Sequence, residues 1–394
     1  MARPLSRREF VVGAAATVGT IALGCSLSEI ARSTPTLTPG PTLPPVPPTP
    51  SLTPAPSAKP LSLRRRAAAM LIAGFRGRAL TNDDPILRAI REDGLAGVIL
   101  FARNIDSPSQ LRDLTTTLHA AAGERTLLIA IDQEGGAVAR LNPDNGFPVT
   151  PTAAKVGRRN DADYALGVGT AIAQTLADAG INLNLAPVVD LNVNPANPSI
   201  GALGRSFSAD PDVVVAMAEQ VIAGHREHGV LTTLKHFPGL GSATGDTDRE
   251  FVDISDTWSE AELEPFGRLM AAGAADLVMI GNAFNGQIDE RHPASLSGAT
   301  LSLLRDNLGW RGATITDDLM AGAVTASYDS LDALSLAINA GNDLLLLANT
   351  GSRPRDVVQP ALDSIEGLVL SGAVDEAQID RASARLAGLL ARLG

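Results

Sequence analysis

Residues 235–248 read KHFPGLGSATGDTD and bring Lys235, His236, Asp246 and Asp248 within one short stretch. Lysine and histidine side by side can hydrogen-bond hydroxyl groups, and aspartates can accept such bonds or move protons. Other stretches carry the same residue types. IDQEGG (131–136) supplies Asp132, with Arg140 following; IGALGRSF (200–207) supplies Arg205; ITDDLM (315–320) supplies Asp317 beside Asp318. Carboxylates beside an Arg/Lys/His cluster suit sugar binding and glycosidic cleavage. They take bidentate hydrogen bonds from vicinal hydroxyls, and a further carboxylate can attack or stabilise an oxocarbenium-like centre. Any one of these aspartates is explained about as well as a helix cap. A series of Asp, Arg, Lys-His, Asn and Asp at successive segment ends is harder to explain by capping.

The segments that must position these residues are short apolar runs. They are AAMLIAGF (68–75), GVILFA (97–102), TLLIAID (126–132), NLNLAPVVD (182–190), TTLKHF (232–237), DLVMIGNAF (276–284), ATITDDL (313–319) and DLLLLA (343–348). Amphipathic helical patterns lie between most of them, such as DDPILRAIRED, DADYALGVGTAIAQTLADAG and DVVVAMAEQVIAGHREHG. Apolar strands alternating with helices imply βαβ units and a parallel sheet. Eight such units predict an α/β fold, a (β/α)8 TIM-type barrel, in which the active site lies at the C-terminal ends of the strands. A doubly wound open sheet is the runner-up, but no glycine-rich dinucleotide turn follows the first strand. The third run ends at Asp132, the fourth at Asp190, the fifth at Lys235-His236, the sixth at Gly281-Asn282 and the seventh at Asp317-Asp318.

The net charge of −11 argues against nucleic acid as a partner, because phosphate neutralisation needs a basic face. Aromatic content is only 3%. So few stacking platforms favour a small pocket for a terminal sugar over a long polysaccharide cleft.

Cys25 is the only cysteine, so no intrachain disulfide can form. Residues 1–24 have an Arg-bearing start followed by an apolar run from Phe10 to Leu23. This pattern reads as a signal peptide, too short for a comfortable transmembrane helix. SRREF resembles a twin-arginine export signal. ALGC resembles a bacterial lipobox, with Ala22 where that motif usually has leucine, and makes Cys25 the lipidated mature N-terminus. Residues 25–60 form a Pro/Thr-rich tether that favours extended polyproline II and builds no core. The expectation is an exported, extracytoplasmic domain at 61–394, held to the outer face of the cytoplasmic membrane by a lipid anchor.

Taken together, IDQEGG with Arg140, NLNLAPVVDLN (182–192), IGALGRSF, LKHFPG (234–239), HPASLS (292–297) and ITDDLM resemble glycoside hydrolase family 3. The closest likeness is to its single-domain bacterial β-N-acetylhexosaminidases, and it spans essentially all of 61–394. The resemblance implies a retaining exo-glycosidase that releases terminal β-linked N-acetylglucosamine, often from cell-wall fragments, with no metal or cofactor. A monomer is expected. It also implies that Asp132 binds hydroxyls of the −1 sugar, with Arg140, Arg205, Lys235 and His236 around it. Asp317 matches the nucleophile, and Asp318 reads as a cap or supporting residue.

The acid/base loop departs from the family pattern, which has K-H-F-P-G-H-G and then D-S-H. Here the first loop histidine is Leu240, Asp246 matches the aspartate of the catalytic dyad, and Asp248 stands where the catalytic histidine should be. Ala137 replaces a common arginine. Imidazole titrates near roughly 6.5 and an aspartate near roughly 3.9, so Asp248 needs a raised pKa to donate a proton near neutrality. Neighbouring carboxylates such as Asp246 or Asp317 can supply that rise. His119, His225 and His228 fall in helical patterns, and His292 is at best in a loop on the substrate side. Three functions fit: an N-acetylhexosaminidase with an altered acid/base, a β-glucosidase-like or other exo-glycosidase, and a catalytically weak sugar-binding lipoprotein.

Overall fold

The computed structural model describes residues 61–350 and 356–393. The signal peptide at 1–24, Cys25, the tether at 25–60 and residues 351–355 of the GSRPRD loop lie outside the described residues.

All eight apolar runs contribute to one parallel sheet. The strands are β1 (Leu71–Gly74), β2 (Gly97–Leu100), β3 (Leu128–Ile131), β4 (Leu183–Asn184), β5 (Leu231–Phe237), β6 (Leu277–Ile280), β7 (Ala313–Thr316) and β8 (Leu345–Leu347). Each pairs with its successor, and β8 returns to β1 through Leu71–Leu345 and Ile72–Leu346. The ring closes between β7 and β8. There the Leu344 N–H donates to Thr314 O and the Thr316 N–H donates to Leu344 O, both at 2.9 Å. The result is a (β/α)8 barrel. Its strands are buried on both faces, which is why they read as continuous apolar runs and not as alternating ones.

Two runs yield less regular strand than their length suggests. The fourth, 182–190, keeps only Leu183–Asn184 in the ladder, because Pro187 has no N–H to donate. Its later residues still pair singly, Leu185 N–H to Ile131 O at 2.8 Å and Val189 N–H to Lys235 O at 2.9 Å. The eighth, 343–348, gives Leu345–Leu347, and the Asp343 side chain instead accepts the Thr314 N–H.

The helices include α1 (Leu63–Ala68), α2 (Pro108–Ala122), α3 (Ala162–Asp178), α4 (Pro211–Glu227), α5 (Glu264–Ala271), α6 (Ser330–Ala340), α7 (Val358–Leu370) and α8 (Glu376–Leu390). Side-chain caps start several of them: Ser107 for α2, Asp161 for α3, Asp210 for α4, Asp329 for α6 and Asp375 for α8. Each such cap stabilises by about 1 kcal/mol relative to alanine. Helices α3 and α4 pack backbone to backbone at Gly224, where a Cβ atom would lie 2.4 Å from the Thr170 nitrogen.

Inside the ring, side chains such as Ile72, Ile99, Leu128, Leu183, Leu231, Leu277 and Leu344 form one apolar stack. Leu386 and Leu389 of α8 complete that stack, so the last helix stoppers the N-terminal end of the barrel. The opposite end, where the strands finish, stays open.

Candidate active site

A cavity of about 630 Å³ occupies the open end. Asp132, Arg140, Arg205, Lys235, His236, Asp246, Asp248 and Asp317 all line it. They come from the segments after β3, β4 and β7 and from β5 and its following loop, where barrel enzymes place their chemistry.

One wall is a chain of ion pairs. Lys235, with a 2% exposed side chain, donates to Asp132 Oδ1 at 2.8 Å and pairs with Glu134 Oε1 at 2.7 Å. Arg140 donates to the other Asp132 oxygen at 3.3 Å. Arg205 grips Glu134 with two parallel bonds of 2.7 and 2.8 Å, and its remaining arm donates to Ser199 O. Burial disfavours each charge here, but the partners outweigh it. Glu134 is held well below the usual carboxylate range by Arg205 and then Lys235. Asp132 is lowered by Lys235 and Arg140, and Lys235 is raised by Asp132 and Glu134. Asp132, Glu134 and Lys235 therefore stay charged, fixed by their partners. Glu134 is the functional residue missed by sequence reasoning. It lies inside IDQEGG, and its alternation with Asp132 (positions 132 and 134) was the available signal.

His236 is fixed from behind. Asp190, fully buried, accepts its backbone N–H at 3.1 Å and its Nδ1–H at 2.7 Å, and also the Leu240 N–H at 2.9 Å. The carboxylate partner assigns a proton to Nδ1. One buried aspartate thus sets both the imidazole and the start of the loop that follows β5. That loop is pressed against the end of the fourth strand segment: a Cβ at Gly241 would lie 1.7 Å from Leu191 O.

Farther along, Asp246 and Asp248 are related by a turn. Asp246 Oδ1 accepts the Asp248 backbone N–H and the Ser199 hydroxyl, each at 3.1 Å, and Oδ2 pairs with Arg249 at 3.2 Å. Asp246 therefore orients Asp248 through the backbone, as an Asx turn does. Partial desolvation at the cavity wall, then the charges of Asp317 and Asp246, push the Asp248 carboxyl up to about 6. Asp248 also keeps an exposed surface, where water screens part of that effect.

Asp317 is held by its N–H on Ile280 O at 2.8 Å, and the Asp318 N–H donates to its Oδ1 at 2.8 Å. Asp318 is buried and accepts the N–H groups of Met320 and Ala348, a supporting arrangement. Burial, aided by the charges of Asp317 and Asp248 and opposed by those two backbone bonds, pushes Asp318 up to about 7. Asn282, at the sixth strand end, is a buried brace whose amide donates to Asp318 O. Leu240 lines the cavity, whereas Ala137 is exposed on a turn and does not. His292 meets Tyr328 away from the lining, and His225 is buried in α4.

Beneath the loop, Glu262 is fully buried and accepts the Gly241 N–H at 2.9 Å. Burial, reinforced by the charge of Asp190 and opposed by the Ser242 and Gly241 hydrogen bonds, pushes it from 4.5 to about 7. The folded chain keeps a proton that the unfolded chain releases. Stability from this group is therefore full at low pH and declines as pH rises from about 4.5 to about 7. Glu262→Gln is expected to flatten the decline, read as urea midpoints at about pH 5 and about pH 8. An unchanged slope in the variant would assign the pH dependence elsewhere.

A barrel whose open end gathers carboxylates and hydrogen-bonded cations has the layout of a glycoside hydrolase. The family model described as "Glycosyl hydrolase family 3 N terminal domain" matches residues 70–389, and the chain belongs to that family. It is 31% identical to beta-hexosaminidase A of Pseudoalteromonas piscicida, covering 76% of this chain and 54% of that protein. A family 3 beta-N-acetylglucosaminidase from Paenibacillus sp. str. FPU-7 superposes with a TM-score of 0.77 at 34% identity, covering 85% of this chain and 63% of the other. The beta-N-acetylhexosaminidase of Beutenbergia cavernae gives 0.77 at 32% identity, covering 84% of this chain and 99% of the other. The chain thus spans about half to two thirds of the first two relatives and nearly the whole of the third.

Proposed function

We propose that the protein is a retaining exo-β-glycosidase for terminal β-linked N-acetylglucosamine, with a carboxylic acid in place of the loop histidine. The observation that carries this reading is the convergence of Asp317 and Asp248 in one cavity with the Lys235–Asp132–Arg140 wall. The wall and His236 hold the hydroxyls of the terminal sugar. Asp317 attacks the anomeric carbon and forms a glycosyl ester while Asp248 donates its proton to the departing oxygen. Asp248 then takes a proton from water, which cleaves the ester and restores Asp317. The named activities of the relatives support N-acetylglucosamine as the sugar.

The test is turnover of 4-nitrophenyl β-N-acetylglucosaminide beside the matching glucoside, with the product anomer followed by proton NMR. Faster release from the N-acetyl substrate, as the β-anomer, is expected. Preference for the glucoside would redirect the specificity, and saturable binding without turnover would make the protein a sugar-binding lipoprotein. We also infer export and lipidation at Cys25 from the residue pattern of 1–25. Mass spectrometry of the mature N-terminus tests this, and an unmodified Cys25 would refute the anchor.

A further inference from the structure

The closed end of the barrel carries a second cavity, of about 620 Å³. It lies beside α8 at the N-terminal ends of β6 and β7, away from the open end. Trp310, Arg311, Arg381, Arg385 and Arg392 line it, and Asp276 is the one acidic residue among its lining. Four arginines against one aspartate reverse the sign of a chain whose net charge is −11.

Two of the arginines are pre-positioned. Arg385 donates to Asp343 at 2.7 Å, and Arg392 pairs with Asp276 at 2.6 Å. Each of these buried carboxylates is shared with a second guanidinium, Asp343 with Arg305 at 2.8 Å and Asp276 with Arg226 at 3.1 Å. One carboxylate between two guanidinium groups leaves positive charge over. Arg311 and Arg381 add to it: both are exposed, Arg311 takes no part in these ion pairs, and Arg381 reaches Asp375 only at 3.7 Å. Arg305 feels the excess, since burial and the charges of Arg385 and Arg311 act together to lower its pKa against Asp343.

Guanidinium groups offer paired donors that match phosphate oxygens, and several of them together suit a group of more than one negative charge. The Trp310 Nε1–H already donates to Ala313 O at 3.1 Å, so the ring offers its apolar surface. We propose that this groove binds a phosphate ester, with the phosphate on the arginines and the adjoining carbon skeleton against Trp310. The site is separate from the glycosidase cavity and does not depend on that assignment.

Calorimetric titration of the full chain at low salt tests the proposal in two arms. One uses glycerol 3-phosphate; the other uses phosphatidylglycerol vesicles against phosphatidylcholine vesicles. Saturable binding is expected in at least one arm, weakened by salt and reduced about tenfold or more in R311A/R381A. Binding of glycerol 3-phosphate assigns a soluble ester, and binding to the anionic vesicles alone assigns a lipid headgroup. Sugar hydrolysis by the double variant should stay at the wild-type rate, which also reports that it is folded. No binding in either arm, or binding that the double variant retains, overturns the proposal.

Discussion

Asp317→Ala is expected to lower hydrolysis of an aryl β-N-acetylglucosaminide on the order of 10⁴-fold or more. The size of the loss follows from the role: without that carboxylate no glycosyl ester forms, and no neighbour is placed to replace it. Asp318 is adjacent, but its carboxyl already accepts two backbone N–H groups and carries a raised pKa. The fold should survive the change. Asp317 is only partly buried and makes no ion pair among the described residues, and its backbone bond to Ile280 is kept. Thermal unfolding controls for folding, and equilibrium binding of N-acetylglucosamine should persist because the Lys235–Asp132–Arg140 wall is untouched. Turnover near the wild-type rate in Asp317→Ala would sink the assignment.

The second large effect is a split between substrates. Asp248→Asn should lower kcat/KM for poor leaving groups by about 10²–10⁴-fold and barely change it for an activated phenol, because only the former need a proton in the first transition state; kcat falls for both, since hydrolysis of the ester uses Asp248 as the base. The pH profile adds an independent reading. With its carboxyl raised to about 6, Asp248 is a competent acid below that pH and loses the proton above it. Wild-type kcat/KM for a poor leaving group should therefore fall as pH rises through about 6, and Asp248→Asn should lack that limb. An equal fall in kcat/KM for both substrate kinds, or a limb that persists in the variant, would remove Asp248 from the acid/base role. His236 would then be the next group to examine, since it lines the same cavity with Asp190 behind it.

The barrel was legible because each strand is a short apolar run, and the third to seventh runs carry a polar residue at the strand end. The eight proposed site residues were legible for the same reason: their positions after those runs put them at one end of the ring. What was not legible is how they are wired. Glu134 and Arg205 are 71 positions apart, and no local pattern announces their paired bonds. Asp190 was visible as a strand end, but its hold on both His236 and Leu240 depends on β5 lying beside the fourth strand segment. Asp246 shows the limit most clearly. The family resemblance presents it as the dyad partner at position 248, whereas folding turns its carboxylate onto the Asp248 backbone. Glu262 lies between Glu260 and Glu264 in the sequence, and only its position beneath the loop distinguishes it. Proline at position 187 did carry a signal, for it explains why the fourth strand is so brief.

The stopper formed by α8 also sets an order of events during synthesis. Every strand is made before residues 376–390 exist, so the ring can assemble while its lower opening still admits water. Leu386 and Leu389 then seal the apolar stack from below. A nascent chain halted before this helix would carry a complete sugar pocket above an unsealed, sticky interior, a species prone to association. Closure of the barrel's lower end thus waits for a helix made after every strand of the ring.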